Sequence, residues 1–252
     1  MTTPATGVRG RQNSVPLGKR IRSSVWFWRI KLFLKRISGR EIWLRRDVDV
    51  PISGGIDYHY VADALDSDSV VYSFGVGDSV DFELDLIDAL GADVHTFDPT
   101  PYTLEWIGTI ETPEQLKFHP WAVAGDDGEL KLFPRLKKSG ERSKVMWTTD
   151  EKQADRQRAV TVPAYSIPSL MKMLGHERID LVKMDVEGAE YDVLSKMLSS
   201  NVYPRQILIE FHHRFPGIGQ QKTLDVLDDL RARGYEIFWI SRTGRELGLI
   251  RR

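Results

Sequence analysis

The sequence predicts an α/β protein with a mostly parallel central sheet and one antiparallel strand near the end of that sheet. Three observations carry this. Short β-branched and aromatic runs alternate with stretches of helical apolar spacing from residue 70 to 240, the pattern of strands joined by right-handed crossover helices. The first of those strands, residues 70–74, runs into Gly75-Val76-Gly77, and a helical spacing (Val80, Leu84, Ile87) begins at once. The last two apolar runs, 235–240 and 247–250, are joined by a connection around Gly244 that is too short for a crossover, so they must pair antiparallel.

Taken in order, the chain divides into a basic extension over residues 1–55 and a main domain over 56–252. Residues 1–46 hold twelve Lys and Arg against the single acid Glu41, a net +11, which leaves −12 for the rest of a chain whose net charge is −1. Such an arm is suited to an anionic surface: lipid, nucleic acid or the acidic body itself. Residues 1–19 have few large apolar groups and are expected to be disordered. Over 20–37, Val25, Trp26, Ile30, Phe33, Leu34 and Ile37 share one helical face, with Arg22, Arg29, Lys31, Lys35 and Arg36 elsewhere. The longest uninterrupted apolar run is 25–28, far short of the ~20 residues that span a bilayer, and too charged for a secretory signal core. Two readings stand: the helix lies in a membrane interface, or it docks its apolar face on the main domain or a second subunit. Residues 38–55 read as a connector, and 56–65 as a short helix or loop whose Asp57, Tyr58, His59 and Tyr60 can form a lid or simply pack a turn.

In the main domain, residues 92–97 form the second strand and end in Asp98, about twenty residues after the glycines, where a carboxylate can accept both hydroxyls of a ribose. Residues 103–110 read as a short helix and 117–124 as a third strand. The region 125–158 has no strong period and is expected to form hairpins and a loop over the strand tips. Residues 167–174 make a helix stopped by Gly175, 179–184 a strand ending at Asp185, 187–198 a helix, and 206–211 a strand carrying Glu210 and followed by His212-His213. A further helix covers 223–233, and residues 247–250 add a final edge strand. The absence of cysteine excludes disulfides, thiolate metal sites and cysteine nucleophiles, and fits a reducing compartment.

Candidate chemistry collects at the strand ends. Asp185 leaves its strand where ligands of open α/β sheets bind. Glu187 and Glu190 start the next helix, where acids also serve as plain N-terminal charge compensation. Glu210 sits in an apolar strand and needs a partner: Lys183 on the adjacent strand, or a site shared with His212, a base type that titrates near neutrality. The spacing of Asp185, Glu187, Glu210, His212 and His213 matches no dedicated metal motif, and no metal is expected.

Residues 180–190, Asp-Leu-Val-Lys-Met-Asp-Val-Glu-Gly-Ala-Glu, resemble the K-x-D-x-E-G-x-E signature of the FkbM-type S-adenosylmethionine-dependent methyltransferases. The glycine turn, Phe97-Asp98-Pro99 (Phe-Glu-Pro in most of that family), Ala122-Val123-Ala124 and the Glu210/His212 pair add to the resemblance, which covers about residues 69–252. It implies a Rossmann-like class I methyltransferase fold with S-adenosyl-L-methionine as cofactor. The implied cofactor contacts are Ser73, Gly75, Gly77, Asp78, Asp98, Pro99, Trp121 and Ala122. The implied catalytic residues are Asp185, Glu210 and His212, with Glu187 and His213 toward the acceptor, a hydroxylated small molecule or glycan. Ser73 departs from the family, which carries an acid there for the methionine amino group, and Ser79 stands in place of a third glycine. Asp78, Asp81 and Glu83 are the acids near enough in sequence to compensate. The competing readings are a non-catalytic scaffold that binds membranes or a partner, and a dinucleotide dehydrogenase, which the missing third glycine disfavours. The acidic body offers no broad basic face for nucleic acid. The expected location is cytoplasmic, with peripheral membrane contact through 20–37 under the first reading of the helix.

Overall fold

The computed structural model describes residues 25–55, 58–137, 139–149, 151 and 154–252. The expected disorder of 1–19, and Asp57 of the suggested lid, lie outside the described residues. The first described element is the helix α1 (Val25–Ile37), followed by a small antiparallel pair, β1 (Ser53–Gly54) and β2 (His59–Tyr60). Then come β3 (Val71–Phe74), α2 (Asp81–Leu90), β4 (Val94–Phe97), α3 (Pro101–Ile107) and β5 (Leu116–His119). An inserted region holds β6 (Ala122–Val123), β7 (Gly128–Leu136), β8 (Arg142–Thr148) and β9 (Val160–Tyr165). The chain continues through α4 (Ile167–Leu174), β10 (Leu181–Met184), α5 (Glu190–Ser199), β11 (Gln206–Glu210), α6 (Gln220–Ala232), β12 (Tyr235–Ile240) and β13 (Glu246–Arg251).

The main sheet has seven strands in the order β12-β13-β11-β10-β3-β4-β5. Strands β11, β10, β3, β4 and β5 are mutually parallel, and β13 runs antiparallel to both neighbours. This is the Rossmann-like arrangement expected, with one correction: the final strand is not an edge. It slots between β11 and β12, and β12 becomes the edge, because only the reversed strand can bridge two strands running the same way without a crossover.

All four residues of β3, β4 and β10 are buried, as in a sheet covered on both faces. Alternate side chains feed two apolar layers: Tyr72, Val182 and Ile207 face one, and Val71, Leu181 and Leu208 the other. Register then fixes the site. Phe74 is level with Phe97 and Met184, and Met184 with Ile209, so the next residues, Gly75, Asp98, Asp185 and Glu210, emerge as one row along the carboxyl edge.

Other differences from the sequence reading have local causes. The strand expected over 117–124 is cut into β5 and β6, which belong to different sheets, because Pro120 has no N–H to continue a ladder. The hairpin region is a four-stranded sheet, β6-β9-β7-β8, standing over the carboxyl edge. Helix α5 begins at Glu190 and not at Glu187, since Glu187 and Gly188 take φ of 51° and 109°, outside the helical range.

Candidate active site

The glycine turn is shaped by its neighbours. Gly75 N donates to Phe97 O at 3.1 Å, and Asp185 N donates to Phe74 O at 3.0 Å, which ties the tips of β3, β4 and β10 together. Gly75 has φ of 83°, and a Cβ there would run into the Asp185 carbonyl, so glycine is required on both counts. Asp98 completes the turn: Oδ2 accepts from Val76 N (3.1 Å) and Gly77 N (3.0 Å), and Oδ1 from Thr100 N (2.9 Å) and Thr100 Oγ1 (2.6 Å). Thr103 Oγ1 donates to Gly77 O at 2.7 Å and fixes the far side.

Beside the turn lies a cavity of about 290 Å³, near the lower end of the ~300–1,000 Å³ range of small-molecule sites. Seven of the eight expected cofactor residues line it: Gly75, Gly77, Asp78, Asp98, Pro99, Trp121 and Ala122. Val123, Leu132 and Trp147 supply apolar wall, and Asp185 and Glu187 close the other side. The stack behind Trp121 holds it in place: Trp121 lies on His119 (4.9 Å between ring centres) and His119 on His95 (5.2 Å).

Ser73, the eighth, does not line the cavity. It is fully buried and donates to Glu83 Oε1 at 2.5 Å, and Lys183 Nζ lies 3.3 Å from both Ser73 Oγ and Glu83 Oε1. Glu83 from α2 neutralises Lys183 beneath the turn, and it does not reach the cavity. Of the three acids named from the sequence as able to compensate for Ser73, only Asp78 lines the cavity, and the Glu83–Lys183 pairing depends on how α2 folds back.

Behind Asp185 and Glu187 sits His212, itself buried. Its Nδ1 is 2.8 Å from Glu190 Oε1, which also accepts from Val186 N (3.2 Å) and Gly188 N (3.1 Å). An acceptor so occupied directs the Nδ1 proton toward itself and turns Nε2 toward three carboxylates: Asp185 and Glu187 at 3.8 Å and Glu210 at 4.0 Å. Burial alone would lower the His212 pKa. The hydrogen bond to Glu190 and the charges of Glu190, Asp185 and Glu187 outweigh it and raise the value to about 9, so the ring is a cation at neutral pH. Burial raises Asp185 and Glu187, with His212 opposing in both. Glu210 rises to about 7, through burial and then the charge of Asp185.

Glu187 Oε2 accepts from Arg135 Nη1 at 2.9 Å, and Glu210 is paired with Arg245 at 2.5 Å and not with Lys183. Glu210 and His212 do not line the cavity; they stand behind Asp185 and Glu187. His213 points elsewhere, with Nε2 2.7 Å from the buried Glu41, which also pairs with Arg214. Sequence reasoning missed Arg135 and Arg245, which lie on the inserted sheet and the β12–β13 turn. It read Glu190 only as a helix-start acid, although its place in the D-x-E-G-x-E stretch was visible.

The Methyltransferase FkbM domain model matches residues 69–237, two thirds of the chain, and takes in the glycine turn, Asp98 and the whole acid–histidine cluster. The chain belongs to the FkbM methyltransferase family. Among curated proteins it is similar to the human "Probable methyltransferase-like protein 24", with 25% identity over 150 residues, 58% of this chain and 33% of that protein. The rat protein of the same name is 22% identical over 179 residues, 67% of this chain and 42% of that protein. The matched stretch thus spans well under half the length of either relative. Among solved structures, one of a fibrillarin/Nop5p complex aligns over 89% of this chain and 82% of that chain, at 11% identity and a TM-score of 0.42.

The cofactor of this family is S-adenosylmethionine, and the residues fit it. The backbone at Gly77 is open, with only a Val145 methyl at 3.4 Å from where a Cβ would stand, and Trp121, Val123, Leu132 and Trp147 offer apolar faces for a purine. Asp78 and Asp98 stand at the rim for hydroxyl or amino groups. Each Asp98 oxygen already accepts two hydrogen bonds, so any ribose contact it makes shares a carboxylate that also holds the turn.

Proposed function

We propose that this FkbM methyltransferase-family protein is an O-methyltransferase acting on a hydroxyl of a small molecule or glycan. The observation that carries the reading is Asp185: a carboxylate of raised pKa on the wall of the cavity that the glycine turn opens into, backed by a cationic histidine. When bound, S-adenosylmethionine supplies an electrophilic methyl group on a sulfonium. The chain's own residues then have to place a hydroxyl and take its proton as the oxygen attacks. Asp185 is the acceptor of that proton, since its carboxylate reaches the cavity and accepts no hydrogen bond from the neighbouring described residues that fix Glu187 and Glu210. His212 is charged at neutral pH and so acts as a positioning group. Its imidazolium opposes the rise that burial imposes on Asp185 and so favours the ionised form, and Glu190 holds the ring. Glu187, steadied by Arg135, is the second carboxylate at the wall and is suited to accept a hydrogen bond from another acceptor hydroxyl.

Incubation with S-adenosylmethionine and a panel of hydroxylated acceptors, read by S-adenosylhomocysteine release and by mass spectrometry of the product, tests the reaction class. Asp185→Asn is expected to lower turnover by ~10²–10⁴-fold while cofactor affinity stays within a few-fold, as for loss of a general base. His212→Gln is expected to lower kcat and to remove a fall in turnover as pH rises past about 9, where the wild-type ring loses its proton. Methyl transfer only to nitrogen or carbon acceptors would overturn the oxygen assignment.

A further inference from the structure

The rotation of α1 is opposite to that of a helix that buries its apolar stripe. Trp26, Ile30, Phe33, Leu34 and Ile37 fall within about a 100° arc of the helix and are all exposed, Trp26 by 70% and Ile37 by 64%. Trp43 extends the stripe: it is 61% exposed and packs edge-on against Phe33 at 6.0 Å. The face turned to the body is the mixed one, with Trp28, Leu32, Lys35 and Arg36 half-buried.

That rotation is held by specific contacts. The Arg36 guanidinium donates to Ile42 O (2.9 Å) and Leu44 O (3.0 Å), and a Leu32 methyl lies against Gly244, where even a Cβ would be crowded at 2.9 Å. Gly39 O accepts from the Gln220 side chain at 2.8 Å. The stripe therefore faces outward in a helix that is itself fixed, a contiguous apolar patch of the kind that marks an interaction surface.

We propose that this face docks the protein on an anionic lipid bilayer, with α1 lying in the plane of the interface. Charge decides the occupant. Arg29, Lys31 and Arg40 are the exposed bases of residues 25–40, Arg29 and Lys31 flank the apolar stripe, and the stretch holds no acid. A second copy meeting this face across a twofold axis would bring those bases against their own counterparts. An anionic headgroup layer takes the bases and the apolar stripe together, and tryptophan is favoured at that boundary. The helix has 13 residues, about 20 Å in length, and among the described residues no helix is long and apolar enough to cross a membrane, so a surface position is the geometry it allows. The proposal does not rest on the methyl-transfer reading.

Co-sedimentation of the full chain with phosphatidylcholine vesicles, and with vesicles containing phosphatidylserine, tests it. Binding to the phosphatidylserine vesicles is expected, weaker on phosphatidylcholine alone and falling as salt rises. The double substitution Ile30→Glu/Phe33→Glu, both on the exposed face, is expected to cut partition at least tenfold with an unchanged Tm. Arg29→Gln/Lys31→Gln is expected to remove most of the preference for phosphatidylserine. Failure of the wild type to bind either vesicle, or equal binding by the Glu variant, overturns the proposal. So does a wild-type dimer in sedimentation velocity that the Glu variant converts to monomer, because the face would then be covered by a second copy.

Discussion

At the residue scale, His95 ties pH to stability. It is 8% exposed, its Nδ1 lies 3.0 Å from His119 Nε2, and burial, then the neighbouring histidines, push its pKa down to about 4. A value below the unfolded 6.5 means that the unfolded chain binds the proton more readily. The contribution of about 3 kcal/mol is present above pH 6.5 and is lost as pH falls toward 4. His212 has the opposite sign: its stabilisation is full below pH 6.5 and is lost as pH rises to about 9. Urea midpoints at pH 7 and pH 5 should differ in the wild type, and His95→Phe, which keeps a stacking ring, should narrow that difference. At Asp98, the carboxylate that holds the turn is also the one expected to meet the cofactor's ribose. Asp98→Ala is expected to lose on the order of 1.5–3 kcal/mol of S-adenosylmethionine affinity, as for a charge-assisted contact. Unchanged affinity by calorimetry would remove Asp98 from the ribose role proposed for it.

At the scale of elements, the site depends on strand tips that touch. Gly75→Ala places a methyl against the Asp185 carbonyl at a φ of 83°, and the tips of β3 and β10 must separate to admit it. Gly77→Ala, with φ of 65° and only a Val145 methyl nearby, meets conformational strain alone, about 1–3 kcal/mol. Gly75→Ala should therefore have the lower urea midpoint and lose cofactor binding, and equal midpoints would contradict the contact. Lys183 on β10 and Glu83 on α2 form a second tie, 9% and 1% exposed. Lys183→Met leaves Glu83 buried without its cation and is expected to destabilise by ~3–5 kcal/mol, the usual result of breaking a buried pair. Replacing both by apolar residues should recover part of that loss.

At the scale of the molecule, the described part of the extension, residues 25–55, is not a loose arm. Asp47 N donates to Ile237 O at 2.7 Å, and Asp47 Oδ2 accepts from Ile237 N at 2.9 Å, so the stretch read as a connector is clamped to the edge strand β12. Glu41, buried completely, pairs with His213 and Arg214 in the loop after β11, the same loop that carries His212. Glu41→Ala is expected to destabilise by about 3 kcal/mol and to speed protease cleavage over residues 38–50. Unchanged cleavage would show that Arg36 and Leu32 hold α1 without it.

The sequence by itself determined the strand–helix alternation, the glycine turn, the acid at the end of the second strand and the D-x-E-G-x-E stretch. All of these are local: they depend on period, on backbone freedom and on spacing along the chain. Gly175 as a helix stop, in the left-handed region at φ of 74°, was legible for the same reason. Only the tertiary structure decided which polar and charged groups meet. Ser73 pairs with Glu83 from α2, Glu210 with Arg245 across the β12–β13 turn, Glu187 with Arg135 from the inserted sheet, and His213 with Glu41 from the extension. Those partners lie 10, 35, 52 and 172 residues apart in the chain. The last strand's position inside the sheet and the outward face of α1 belong to the same class. Periodicity shows that a helix has an apolar face, but contacts elsewhere on that helix decide which way the face points.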